Sequence, residues 1–395
     1  MLGMIPLAYL YADIASIEVI GDYTVQFNLS RPSTSFIYCM DMPIVPEGCD
    51  ENQGWLAAPF GYGPYVVAPS DQGAKLLKTN PAYFGTSPNI QELAFSTYDS
   101  EGALVSALMS DEIDMLLSPI DPAETATFLE SKDFSVRTIP SNSCLALAFS
   151  QKSALLSQKE LRLALVHLTD KQGICETIYA GNAQPADNFF IPGYWYFQER
   201  GGYAYDVDRA ASILTEANWT DSDNDGILDK EGSQLSFRVL VDANVPEHMA
   251  ALNTLRETWE QCGINASIEA ISGDELAQKL SNPWDYDLAL INRDMLANPD
   301  LVLTSVFAAG SAGNIGGYTY SELDTQLNQA RVESNRDALM ALYGSVADFI
   351  DGQILCYPIA YEPYVVIHSS RLDDYTPYAN GSTRFCELNR KKWSA

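Results

Sequence analysis

The run from residue 235 to residue 270 constrains the fold most tightly. Leu235, Phe237, Val239 and Val241 fall on every second position, Leu252, Leu255, Trp259 and Cys262 recur at helical spacing, and Ile264, Ala266, Ile268 and Ala270 alternate again. A period of two lines one face of a strand, and spacings of three and four line one stripe of a helix. A strand, a helix and a second strand in that order imply a crossover, so this block contains parallel sheet with helices packed on it. The phrase "YDLALI" (286–291) supplies a further strand.

The flanking segments extend this α/β pattern. "SIEVI" and "YTVQFNL" read as a hairpin turning at Gly21 and Asp22, and "PYVVAP", "AKLLKT" and "ELAFSTY" read as short strands. Ala103, Ala107 and Leu108 share a helix face, "IDMLLS" reads as a strand, and another helix begins near Pro122. A new block opens with the strand "CLALAFS" from Cys144, followed by "KELRLALVHLTDKQGICETIY", which reads as one buried helix. An aromatic loop, "IPGYWYFQERGGYAYD", leads to a helix carrying Ala210, Ile213, Leu214 and Ala217 on one stripe. "YSELDTQLNQARV" and "NRDALMALYGSVADFI" read as the last two helices, before "ILCYPIAYEPYVVIHSS".

One loop carries metal-like spacing. Asp221, Asp223, Asp225 and Asp229 stand at positions 1, 3, 5 and 9 of "DSDNDGILDKEG", with Gly226 at position 6. Hard oxygen donors at such intervals around a sharp turn suit Ca²⁺. Position 12 is Gly232 where a sensor hand carries Glu, and "LSFRVLV" then alternates as a strand, which excludes a sensor. Two readings stay open: a structural Ca²⁺ held by Asp221, Asp223, Asp225 and backbone carbonyls, with Asp229 at position nine, or a solvated acidic turn.

Composition narrows the function classes. With 52 acidic against 23 basic residues in 395, the net charge of -29 repels phosphate backbones and argues against nucleic acid as a partner. Seven cysteines show no zinc-ligand spacing, and a disulfide between Cys39 and Cys49, or between Cys356 and Cys386, stays open. The three histidines (His167, His248, His368) form no nucleophile–base pattern and there is no GxSxG, so an enzyme is not expected. Acidic pairs such as Asp285 and Asp287 in "WDYD" could supply the general acid and nucleophile of a glycoside hydrolase, yet these two lie at i and i+2 at a strand start and no second carboxylate motif supports them. No apolar run is long enough to span a membrane, and no basic, cleavable leader precedes the hairpin.

Several phrases, in order, resemble one family. "GYGPYVV" resembles a GTGPY strand, "NPAYFG" an NPxYWG turn, "ALMSDEIDM" the phrase ALKSGEIDI, "ELRLALVHLTDK" the helix VRQALxYAIDR, and "YDVDRAASILTEANW" the helix YDPEKAKALLAEAGW. "SIEVIGDYTVQFNLSRPSTSF" resembles the hairpin that precedes "PIVPE". The pattern is that of the extracytoplasmic solute-binding proteins of family 5, which serve peptide, nickel and oligosaccharide ABC importers. The resemblance implies an α/β, two-lobe periplasmic-binding-protein fold of type II (Venus-flytrap), here with an incomplete first lobe. Residues 1–142 are then part of lobe I, 143–362 lobe II and 363–395 a return to lobe I, with chain crossings near 141–149 and 361–366. Relatives carry a signal peptide or lipobox and more of lobe I upstream, so the chain reads as N-terminally truncated.

The resemblance implies capture of oligopeptides, or a related small solute, in an interlobe cleft and delivery to an ABC permease and ATPase complex. The protein is expected to be monomeric and extracytoplasmic, membrane-anchored or periplasmic in full-length form, with no cofactor required; a structural Ca²⁺ at the acidic loop stays one of the two readings given above. The alternatives are an oligosaccharide-binding member, an extracellular glycoside hydrolase, or a non-functional fragment. By position the ligand contacts are Trp195, Arg293, Asp294 and Tyr361. In peptide-binding relatives an Asp in the segment matching "NRDMLANPD" pairs with the ligand's amino terminus; Asp294 stands one residue further from Pro299 than that pattern has it, and Asp300 competes. Each also has a purely structural role open to it: loop packing for Trp195, a surface ion pair for Arg293, a helix cap for Asp294 and sheet core for Tyr361.

Overall fold

The computed structural model describes residues 11, 13–34, 36–40, 61–69, 75–116, 122–190, 192, 194–281, 286–294, 299–373 and 392–393. Their strands are, in chain order, β1 (Ile14–Gly21), β2 (Thr24–Leu29), β3 (Tyr65–Ala68), β4 (Lys75–Thr79), β5 (Glu92–Phe95), β6 (Met115–Leu116), β7 (Phe134–Phe149), β8 (Gln184–Pro185), β9 (Asp229–Lys230), β10 (Ser233–Gln234), β11 (Ser236–Asp242), β12 (Asn265–Ile271), β13 (Leu288–Asp294), β14 (Cys356–Ser369), β15 (Leu372–Asp373) and β16 (Lys392–Trp393). The chain divides into two units, one of residues 1–40 with 142–362 and one of residues 41–141 with 363–395. It passes between them after residue 40, within β7 and within β14.

In the first unit the sheet runs β12-β11-β13-β7-β14. β11 lies parallel to both β12 and β13, as the strand–helix–strand spacing requires, and β13 lies antiparallel to β7. Alternation sorts the side chains: Leu288, Leu290, Leu145, Leu147 and Phe149 enter one core, while Ala289, Ile291, Cys144, Ala146 and Ala148 enter the other. Helices Lys159–His167, Lys171–Thr177, Val207–Glu216 and Pro246–Gln261 contribute buried residues to the first core. Helices Gly273–Ser281, Pro299–Phe307, Ser321–Val332 and Arg336–Gln353 contribute to the second. Both faces of the sheet are therefore covered, which is why its strands are apolar on both sides.

Two local differences from the sequence reading have plain causes. The long helix expected from Lys159 is two helices, because the Asp170 side chain accepts the Gly173 N–H at 2.9 Å and caps a new start while the Thr169 hydroxyl donates to Leu165 O at 2.9 Å. The first hairpin pairs Gly21 with Thr24, so the turn is Asp22–Tyr23, one residue later than expected. Its base is tied down by Arg31 and Arg331, which lie 2.8 Å and 3.4 Å from the Asp13 carboxylate.

The second unit holds the antiparallel sheet β3-β4-β5 and the pairing of β6 with residues 367 and 368 of β14. Helix Glu101–Met109, capped by Ser100, packs Val105 and Leu108 with Leu116, Phe128, Val365 and Ile367. Cys144, Cys175, Cys262 and Cys356 are free thiols among the described residues, and Cys386, suggested above as a partner for Cys356, lies outside them. The Cys39 and Cys49 side chains lie outside the described residues.

Candidate functional site

In an open α/β sheet, ligand-binding groups gather where the parallel strands end at their carboxyl side. Here β11 ends at Asp242 and β13 at Asp294, and each leads toward a helix. After β11, the Asp242 carboxylate accepts the Asn244 N–H at 2.9 Å and Pro246 starts a helix that carries His248 in its first turn. After alternating Leu288, Leu290 and Asn292 on one face, β13 places Ile291 and Arg293 on the other.

On the Asn292 face a buried polar cluster forms around Glu362. Its Oε1 accepts the Tyr179 hydroxyl at 2.9 Å and lies 2.9 Å from His248 Nε2. The Asn292 amide donates to Oε2 and accepts the Ser143 hydroxyl at its own oxygen. Burial pushes the Glu362 carboxyl up, but hydrogen bonds from His248, Tyr179 and Ser143 outweigh it and hold the group below its ordinary value. Burial, and then the neighbouring Glu362, push the Tyr179 phenol well up, so it remains a donor. The cluster joins β7, β13 and β14 with the Pro246–Gln261 helix, and its carboxylate sits near that helix's positive end.

The opposite face is aromatic and carries Arg293. Tyr194 stacks on Tyr196 at 5.3 Å between centroids, and its hydroxyl donates to Asn142 Oδ1 at 2.9 Å. Trp195 is half-buried, edge-on to Tyr196 at 5.7 Å, with the Arg336 guanidinium 5.3 Å over its ring. Arg293 is half-buried. Its charge draws down the thiol and phenols of Cys356, Tyr286 and Tyr318, against the burial that raises all three.

Tyr361 is 4% exposed, and its hydroxyl is shared between Asn188 O at 2.8 Å and Phe190 O at 2.9 Å. It thereby braces the segment leading to Trp195. The Asp294 backbone pairs with Ser143, and its side chain lies outside the described residues, as does Asp285. Asp300 is buried, accepts the Thr304 hydroxyl at 3.0 Å and sits 3.9 Å from Arg331. Asp287 accepts the Ser153 hydroxyl at 2.5 Å and the Arg238 N–H at 2.9 Å.

In the acidic loop, oxygens of Asp221, Asp223 and Asp225 lie within 4.8 Å of one another. Asp221 accepts the N–H groups of Asp225 and Gly226 at 3.2 and 3.1 Å, and Gly226 adopts φ +88°, a left-handed conformation that suits glycine. Asp229 is held apart from them: its carboxylate accepts the Ser222 N–H and hydroxyl, which depresses its pKa.

Of the residues singled out from sequence, Arg293 and Trp195 share the aromatic face, whereas Asp221, Asp223 and Asp225 form a separate exposed group. The Glu362 cluster escaped sequence reading. Its one signal was a lone carboxylate inside the apolar run "ILCYPIAYEPYVV", since a buried charge demands partners.

The family model of bacterial extracellular solute-binding proteins, family 5 Middle, matches residues 3–314. The oligopeptide-binding protein AppA of Bacillus subtilis is 24% identical over 373 residues, covering 88% of this chain and 68% of AppA. A putative ABC transporter peptide-binding protein of Brucella ovis is 28% identical over 268 residues, covering 64% of this chain and 48% of that relative, so the match spans about half of that protein. The structure of NikA from Brucella suis in complex with Fe(III)-EDTA superposes with a TM-score of 0.88 at 18% identity, covering 98% of this chain and 80% of NikA. The fold is thus the α/β type II fold of periplasmic binding proteins, and the chain belongs to the bacterial extracellular solute-binding proteins of family 5.

Proposed function

We propose that this chain is the solute-binding component of an ABC importer, working outside the cytoplasm and handing an oligopeptide or related small solute to a permease and ATPase complex. Family membership over residues 3–314 carries this reading. The aromatic face with Trp195 and Arg293 at the carboxyl end of β13 supports it, because stacking and a few directed hydrogen bonds are what such capture needs. No bond is made or broken. A micromolar affinity corresponds to about 8 kcal/mol, within reach of those contacts.

The test is thermal unfolding with a panel of peptides, oligosaccharides and nickel chelates. A solute at one hundred times its Kd stabilises by about 2.7 kcal/mol and leaves unchanged on release. Recovery of a cleaved product would overturn the reading. A Ca²⁺ bracing residues 221–225 belongs to the same proposal, supported by the convergence of three carboxylates. Calorimetric titration is expected to show Ca²⁺ heats in the wild type that Asp223→Ala removes; equal, negligible heats would leave an acidic turn.

A further inference from the structure

We propose that the Glu362 cluster is a lock at the roots of β7 and β14, the two strands within which the chain passes between its units, and that it keeps them rigid up to the edge of the first unit so that bending falls on the residues beyond. The edges lie between 141 and 142 in β7 and between 362 and 363 in β14. Ser143 is therefore the second residue of the unit on β7, and Glu362 is its last on β14. Backbone pairing alone leaves such a strand end free to fray, because the outermost ladder bonds open first.

Side chains close that weakness by crossing the strands. Asn292 of β13 stands opposite Leu145, so Ser143 is its diagonal neighbour. The Asn292 amide accepts the Ser143 hydroxyl and donates to Glu362 Oε2, so one side chain ties the root of β7 to the root of β14. Glu362 Oε1 then fastens both to Tyr179, just past helix Lys171–Thr177, and to His248 in the first turn of helix Pro246–Gln261, each at 2.9 Å. His248 is 3% exposed and the Glu362 side chain 12%, so water competes poorly for these bonds and opening them strands a carboxylate in the interior. On the far side of each edge stands a proline, Pro363 directly after Glu362 and Pro140 two residues before Asn142, and neither has an N–H to give a ladder. Each strand is thus pinned on one side of the edge and short of a donor on the other, which localises a hinge.

The lock acts whatever the solute, so the chain is measured without one. Spin labels on p-acetylphenylalanine at Ser106 and Thr325, exposed positions on helix Glu101–Met109 of the second unit and helix Ser321–Val332 of the first, report the distance distribution between the units and spare the native thiols. Asn292→Ala and Ser143→Ala are expected to broaden that distribution or add a second population, and to speed amide exchange of residues 143–149 and 356–362 about tenfold or more. Ser143→Thr keeps the hydroxyl and the wild-type width. Asp206→Ala, which weakens a helix cap outside the cluster, also keeps it, separating a lock from general loss of stability. A width unchanged in both alanine variants of the cluster, or one that grows equally in Ser143→Thr or Asp206→Ala, overturns the proposal. If Asn292→Ala does not fold, the two Ser143 variants decide.

Discussion

Arg162 and Glu362 show how single buried charges are handled in this chain. Arg162 is 1% exposed and forms no ion pair with a carboxylate among the described residues; its guanidinium donates to Leu156 O, Ser157 O, Gln353 O and Ile354 O at 2.7–3.0 Å. One planar fork thus satisfies acceptors at the ends of two separate segments. Arg162→Met leaves those carbonyls buried and unpaired, with an expected loss of roughly 3–5 kcal/mol, read from the urea midpoint at unchanged m-value. Arg162→Lys recovers little, since a point charge cannot span four acceptors.

For Glu362 the sign of the pH effect follows from its depressed pKa. Its stabilisation is present above the unfolded-state value near 4.3 and is lost as pH falls through the lower folded value. Glu362→Gln is expected to cost roughly 1.5–3 kcal/mol at pH 7 and to flatten the stability profile below pH ~4, measured by denaturant titration across pH. An unchanged acid limb would remove Glu362 from that role. The carboxylate stood out in the sequence as a charge in an apolar strand. Its partners Ser143, Tyr179, His248 and Asn292 did not, because they come from four segments that no spacing rule connects.

At the scale of elements, local chemistry was the most legible. The helix Val207–Glu216 starts where Asp206 accepts the Arg209 N–H at 2.8 Å, and it buries Ala210, Ile213 and Leu214, as its stripe implies. Asp206→Ala is expected to cost about 1 kcal/mol, while Asp208→Ala, which removes no cap bond, costs a few tenths, both measured by thermal unfolding. The split at Asp170 was less legible, because apolar periodicity continues through it and only the cap bond to Gly173 reveals the second start. The hairpin of β1 and β2 is stranger: Val19 is 80% exposed and Ile17, Ile20, Tyr23 and Val25 are also exposed. Such a surface invites edge pairing. Val19→Lys is expected to raise solubility and leave Tm within about 1 °C, since an exposed site away from packing changes stability by at most ~0.5 kcal/mol. A large fall in Tm would show that Val19 is packed in solution.

At the scale of the whole molecule, periodicity determined a parallel strand–helix–strand core, helices on both faces of a sheet, and a set of phrases shared with family 5 binding proteins. These are legible because they depend on residues within a few turns of one another. Tertiary structure decided which polar groups meet. It put Glu362 with Ser143 and His248 across more than a hundred residues of chain, turned Tyr361 inward to brace the loop before Trp195, and left Arg293 Nε buried without a partner among the described residues. The physical reason is burial itself. Whether a charge is satisfied depends on what the folded chain brings within 3 Å of it, and periodicity in the sequence sets only the face on which that charge will stand.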